Sequence, residues 1–233
     1  LTGFMLALMT FTKGLKHVGL NFTTGQSILL SAGVGLLVAG LGILLLRRIK
    51  LDEEADKDFH FASVEKVFAV LMIFTACSMA FAHGASDVSN AVGPLAAVVG
   101  VIEAGGDMTI GGQSSVPGWV LLMGAVGIVI GLATYGWKVI ATIGKKITEL
   151  TPSRGFAAEL ATAATVVAAS GIGLPISTTH TLVGAVLGIG MARGIGALNL
   201  AVVGRIFTSW VVTLPIGAAL AIIYLEIFML IFL

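Results

Sequence analysis

The sequence predicts an all-α fold, a polytopic transmembrane helical protein that includes broken or re-entrant half-helices. Three observations carry this. Hydrophobic residues make up 57% and charged residues only 11% of 233, whereas soluble domains carry about a quarter charged residues. So few charges cannot cover a globule of this size in water, and the mean hydropathy of +1.06 points to the bilayer as solvent. Apolar runs of membrane-spanning length recur along the chain, and two of them are interrupted by polar or glycine- and proline-containing motifs.

The first run, 1–15, is apolar but short and reads as the remainder of a longer helix. It lacks the charged leader and cleavage site of a signal peptide, so we expect a longer parent protein. Residues 25–46 (GQSILLSAGVGLLVAGLGILLL) suffice to cross a core about 30 Å thick. Their glycines and Ser31 suit close helix packing. Segments 1–46 thus form one transmembrane unit. The strongly charged stretch 47–63 is expected as a solvated cytoplasmic loop, and 64–233 as the remaining membrane core.

That core opens with a run over 64–82, a break near 83–87, and a second piece over 88–101. A glycine-rich acidic loop with Glu103 and Asp107 follows. The run 116–143 carries Trp119, Tyr135 and Trp137 near its ends, as an aromatic belt would. Lys138, Lys145, Lys146 and Arg154 gather after it. Basic loops at 47–66 and 138–154, separated by an acidic one, place both basic loops in the cytoplasm. Lys13 and Lys16 then fall near the outer face. From Phe156 the chain runs apolar to Gly171, breaks at 171–177, and resumes to Met191. Each piece is short for a crossing, so a re-entrant hairpin or a broken helix is expected. The final run, 198–233, is too long for one perpendicular crossing, and Pro215 is expected to divide or kink it.

A net charge of +1 gives no basic field for nucleic acid. The single cysteine, Cys77, reads as a small packing residue and excludes an internal disulfide. The chemistry therefore rests on the interruptions. In lipid, irregular backbone is tolerated only against protein or a water-filled cavity. In HGASDVSNAVGP, residues 83–94, Asp87 and Asn90 stand three apart and share a helix face. Their hard oxygens suit sodium, or a proton on Asp87. Capping of a following half-helix by Asp87 is the structural alternative, though an ionisable group at membrane depth costs about 2.5–3.5 kcal/mol on insertion scales.

In GIGLPISTTH, residues 171–180, Ser177 takes the N-cap position, with Thr178, Thr179 and His180 in the first turn. Hydroxyls and free N–H groups at a helix start form an anion site that needs no Lys or Arg. Such a site also lets its anion go again. An ordinary cap, with threonines bonding back to carbonyls, is the competing reading. Glu159 lies within an apolar half-helix, which suits a cation ligand or a protonated carboxyl. His83 and His180 read as packing residues, as does Trp210.

These two motifs resemble the PiT-type inorganic phosphate transporters. The family signature, approximately GANDVANA, is met as Gly84, Ala85, Ser86, Asp87, Val88, Ser89, Asn90 and Ala91, with Ser86 in place of the usual Asn. The PxSTTH element is met by Pro175, Ser177, Thr178, Thr179 and His180. Glu159 falls where the family has a glutamate important for transport. The resemblance implies a transporter and not an enzyme, in a bacterial inner or plasma membrane, built from two inverted repeats of which this chain is the C-terminal one. It implies phosphate at Ser177, Thr178 and Thr179, sodium at Asp87 and Asn90 with Glu159 as a further cation ligand, and Ser86 and His180 in support. The implied partners are inorganic phosphate, sodium or protons as coupling ions, lipid, a homologous N-terminal half and a second copy of the chain.

Two rivals remain open at this point. One is a proton-coupled phosphate or a sulfate permease of the same architecture. The other is an intramembrane serine hydrolase, in which Ser86 and His180 superficially resemble the dyad of rhomboid proteases. Asp87 beside that serine would oppose the developing oxyanion.

Overall fold

The computed structural model describes residues 2–11, 22–48, 61–105 and 116–232. All regular structure among them is helical: α1 (Thr2–Met9), α2 (Thr24–Leu46), α3 (Ala62–Glu103), α4 (Gly118–Lys146, with a π-helical turn at Leu132–Gly136), α5 (Pro152–Gly171), α6 (Thr178–Ala192), a 3-10 turn (Ile195–Ala197) and α7 (Leu200–Phe232). Four of them, α2, α3, α4 and α7, are long and apolar enough to cross a membrane. Their large side chains point outward, Leu36 and Leu37 on α2 and Leu214 and Leu230 on α7 among them, the reverse of a water-soluble globule. Small side chains fill the contacts instead. Buried Ser27 and Ser31 line α2, and Gly3 of α1 lies so close to Val38 that a methyl group there would clash. Close backbone approach through small residues is how helices associate in lipid.

Helix α2 starts at a reciprocal cap. Thr23 accepts from the Gln26 N–H at 3.4 Å, while the Gln26 side chain accepts from the Thr23 N–H at 3.0 Å. The charged loop expected at 47–63 is described only at its edges. Its centre, residues 49–60, lies outside the described residues, as do Lys13, Lys16 and Asp107.

The break expected at 83–87 is not present: α3 is helical without interruption through His83, Gly84, Ala85, Ser86 and Asp87. The physical reason is that nothing there stops a helix. One interior glycine costs only about 1 kcal/mol relative to alanine, and the His83–Asp87 contact at i, i+4 spans the turn. The proline of α3 is Pro94. Lacking an N–H, it leaves the Asn90 carbonyl without its helical donor. Its 42 residues amount to about 63 Å at 1.5 Å per residue, twice an apolar core of about 30 Å.

The second interruption is built into the backbone. Helix α5 ends at Gly171, Gly173 takes a left-handed φ of 79°, and the Leu174 N–H closes the end on the Ala169 carbonyl at 2.9 Å. A Gly in this conformation is a common helix stop. Helix α6 restarts at Thr178 behind the Ser177 cap, whose hydroxyl accepts from the His180 N–H at 3.3 Å.

At the other end, Arg193 after α6 donates to the Glu149 carbonyl at 3.0 Å and to Thr148 Oγ1 at 3.3 Å. The Asn199 N–H reaches the Ile147 carbonyl at 2.9 Å. The start of α5 and the end of α6 thus share one base, and the two helices form an antiparallel hairpin. With 15 residues, α6 is about 22 Å long, too short to cross. Under the hairpin base lies a core of Ile143, Ile147, Ala158, Val183, Val186 and Val202. A further tie joins α3 to α5. The Glu65 carboxylate accepts from the Ser153 N–H at 2.8 Å and the Ser153 hydroxyl at 2.7 Å, a negative charge at a helix start.

Helix α7 is likewise continuous through Pro215, so the expected division there is absent. The missing N–H frees only the Val211 carbonyl. Around it, Thr213 Oγ1 donates to the Trp210 carbonyl at 2.8 Å and Ser209 Oγ to that of Ile206 at 2.7 Å.

Candidate functional site

The tip of the α5–α6 hairpin meets the middle of α3. Thr178 Oγ1 donates to both oxygens of Asp87, at 3.2 and 3.3 Å, and Asn90 Nδ2 donates to the Ile176 carbonyl at 3.1 Å. Asp87 is held from its other side by His83 Nε2 at 2.8 Å. Thr178 is only 1% exposed, so its hydroxyl joins the two helices inside the contact. Asp87 and His83 are partly exposed, and Asn90, Ser177 and His180 are exposed. One wall therefore carries a carboxylate and a side-chain amide. The adjoining wall carries the first turn of α6. By position the N–H groups of Thr178 and Thr179 have no acceptor within the helix, and the dipole adds partial positive charge there. Ser177 accepts through its oxygen and keeps its own proton to donate outward.

Asp87, Asn90, Ser177, Thr178, Thr179 and His180, all expected to be functional, thus gather at one place. Ser86 is 6% exposed and shares no hydrogen bond with His180 among the described residues. His180 instead packs at a tilt of 37° against Trp210 of α7, with ring centroids 3.9 Å apart, and Phe207 flanks that tryptophan at 4.7 Å.

Glu159 forms a second polar point, away from the tip. Its Oε2 accepts from Thr75 Oγ1 of α3 at 2.6 Å. Thr75 is 1% exposed, and it also lines a cavity of about 300 Å³ bounded by Gly35, Gly42, Phe74 and Phe156.

Trp210 packs as expected, against His180 and Phe207. His83, expected as a packing residue, instead pairs with Asp87, which i, i+4 spacing brings within reach. Thr75 and Glu65 were not assigned a part from sequence, since their partners lie far along the chain.

Membrane-length helices, a hairpin of short helices and an acidic residue facing its tip are features of helical membrane transporters, a class in which broken backbone lines the path of the solute. The chain belongs to the phosphate transporter family: the model described as "Phosphate transporter family" matches residues 1–221. A Haemophilus influenzae protein named "Putative phosphate permease" is 54% identical over 223 residues, which cover 96% of this chain and 52% of that protein. The Arabidopsis thaliana protein "Inorganic phosphate transporter 2-1, chloroplastic" is 54% identical over 162 residues, covering 70% of this chain and 27% of that one. A solved structure titled "The sodium-dependent phosphate transporter" superposes with a TM-score of 0.74 at 39% identity, over 92% of this chain and 50% of that chain. The chain spans about half the length of the first of these relatives and of that structure, and about a quarter of the plant protein.

Proposed function

We propose that this chain is one half of an inverted-repeat carrier that moves inorganic phosphate across a membrane by symport, with sodium as the coupling ion. The observation that supports it most is the buried Thr178 hydroxyl between the start of α6 and the Asp87 carboxylate. A cation on Asp87 and Asn90 would sit beside a phosphate on Ser177, Thr179 and the N–H groups of α6. In a cavity of low dielectric each charge offsets the other, so neither load is favoured alone. That is the physical basis of coupling. Thr178, whose hydroxyl donates to Asp87, bridges the two loads in place of the direct phosphate contact expected from sequence. Glu159, tied to Thr75, offers a further cation ligand. A homologous N-terminal half would bring the opposing walls.

The test is phosphate uptake into vesicles holding the full-length carrier, with and without a sodium gradient. Asp87→Ala is expected to abolish the sodium-stimulated component, and unchanged uptake would refute the assignment. One observation favours a second reading: His83 touches Asp87 at 2.8 Å, a pairing suited to passing a proton. A proton-coupled carrier would respond to a pH gradient with sodium absent. Competition by unlabelled sulfate separates phosphate from other tetrahedral oxyanions.

A further inference from the structure

Helix α4 ends in a segment that the transport site does not use. Its π-helical turn at Leu132–Gly136 leads into Trp137–Lys146, where Lys145 and Lys146 follow Lys138 by seven and eight positions and so share its face. The other face carries Ile143, packed into the core under the hairpin, and leads on to Ile147 in the same core. All three lysines are exposed. Among the described residues none of them forms an ion pair, and the nearby carboxylate of Glu149 is engaged by Arg193 at 3.4 Å.

Aromatic side chains fix the depth of this face. Trp119 at the start of α4 is 56% exposed, and Tyr135 and Trp137 are 65% and 63% exposed. From Trp119 to Trp137 is about 27 Å at 1.5 Å per residue, close to a hydrocarbon core of about 30 Å. Exposed tryptophan and tyrosine at that separation mark the two interfaces. Lys138 then lies at headgroup level, its Nζ 4.2 Å from the centre of the Tyr135 ring and 5.5 Å from that of Trp137. Lys145 and Lys146 stand about two turns further out.

We propose that Lys138, Lys145 and Lys146, with Tyr135 and Trp137, seat the phosphate of an anionic phospholipid against α4. Unpaired ammonium groups at headgroup depth attract anionic lipid. The exposed rings select lipid over a free ion, since acyl chains cover them and inorganic phosphate leaves them bare. The bound lipid would brace the end of α4, whose buried isoleucines support the base of the hairpin.

The test uses the full-length carrier, purified in mild detergent with equal phosphatidylglycerol and phosphatidylcholine and read by native mass spectrometry. Wild type is expected to retain phosphatidylglycerol preferentially. The variant K138Q/K145Q/K146Q should retain about a hundredfold less, with phosphatidylcholine unchanged, and K138R/K145R/K146R should retain it as wild type does. The single variant K138Q, which alters no buried contact, should lose about fivefold. Retention by the glutamine variants equal to wild type overturns the proposal. So does displacement of the lipid by excess inorganic phosphate, which would make the seat one for the free ion.

Discussion

Replacing Thr178 by valine isolates the hydroxyl that joins α6 to Asp87. Valine keeps the shape, and Thr178 is 1% exposed, so no cavity opens and the packing is preserved. What goes is one proton shared between two carboxylate oxygens at 3.2 and 3.3 Å. Hydrogen bonds to charged groups contribute about 1.5–3 kcal/mol. These are longer than the usual O–H···O distance of about 2.7–2.8 Å, so the lower end, about 1.5 kcal/mol, applies. At 1.4 kcal/mol per decade that is about a tenfold loss. Because His83 still holds Asp87 from the other side, the carboxylate is loosened and not lost. The half-saturating sodium concentration for phosphate uptake into proteoliposomes should therefore rise about tenfold, with the rate at saturating sodium near wild type. Thr178→Ser, which restores the donor, should return to within about threefold. A valine variant indistinguishable from wild type would refute the reasoning. So would a serine variant as impaired as valine, which would assign the effect to the methyl group.

Glu65→Gln weakens the tie between the starts of α3 and α5; the purified carrier should lose about 1–2 kcal/mol of stability, seen as a lower midpoint of thermal unfolding, with sodium dependence unchanged. Trp210→Leu removes the ring against which His180 packs, a contact worth about 0.5–1.5 kcal/mol. The KM for phosphate should rise about three- to tenfold, while Trp210→Phe stays near wild type. Gly124→Ala puts a methyl group against Val92 of α3, a branched and stiff side chain. Such overpacking costs about 1–3 kcal/mol and should reduce the yield of folded protein in size-exclusion chromatography.

The two interruptions show what sequence carried and what it did not. The stop at 171–177 has causes written in the backbone: Gly173 must adopt a positive φ, and Pro175 and the Ser177 cap fix where α6 resumes. HGASD has no such cause. Its polar side chains mark which face of α3 meets other protein, a pattern that local sequence does not distinguish from the end of a helix. Asp87 and Asn90 were assignable because their spacing alone puts them on one face. That this face meets residues 176–178 depends on contacts spanning 86 and 91 positions, which no local pattern encodes. The same holds for Thr75 on Glu159, separated by 84 residues. Pro215 looked decisive, yet a proline removes one hydrogen bond and a lipid-exposed helix has neighbouring hydroxyls to adapt around it.

The central claim is that the α3 carboxylate and the start of α6 form one site. Its most direct test places Asp87→Cys and Thr178→Cys in the full-length carrier, with Cys77→Ala and a protease site inserted between residues 106 and 115. The account predicts that mild oxidation or cadmium holds the two fragments together after cleavage, while Asp87→Cys with Val212→Cys leaves them to separate. Free fragments from the 87–178 pair, or equal joining by both pairs, would contradict it.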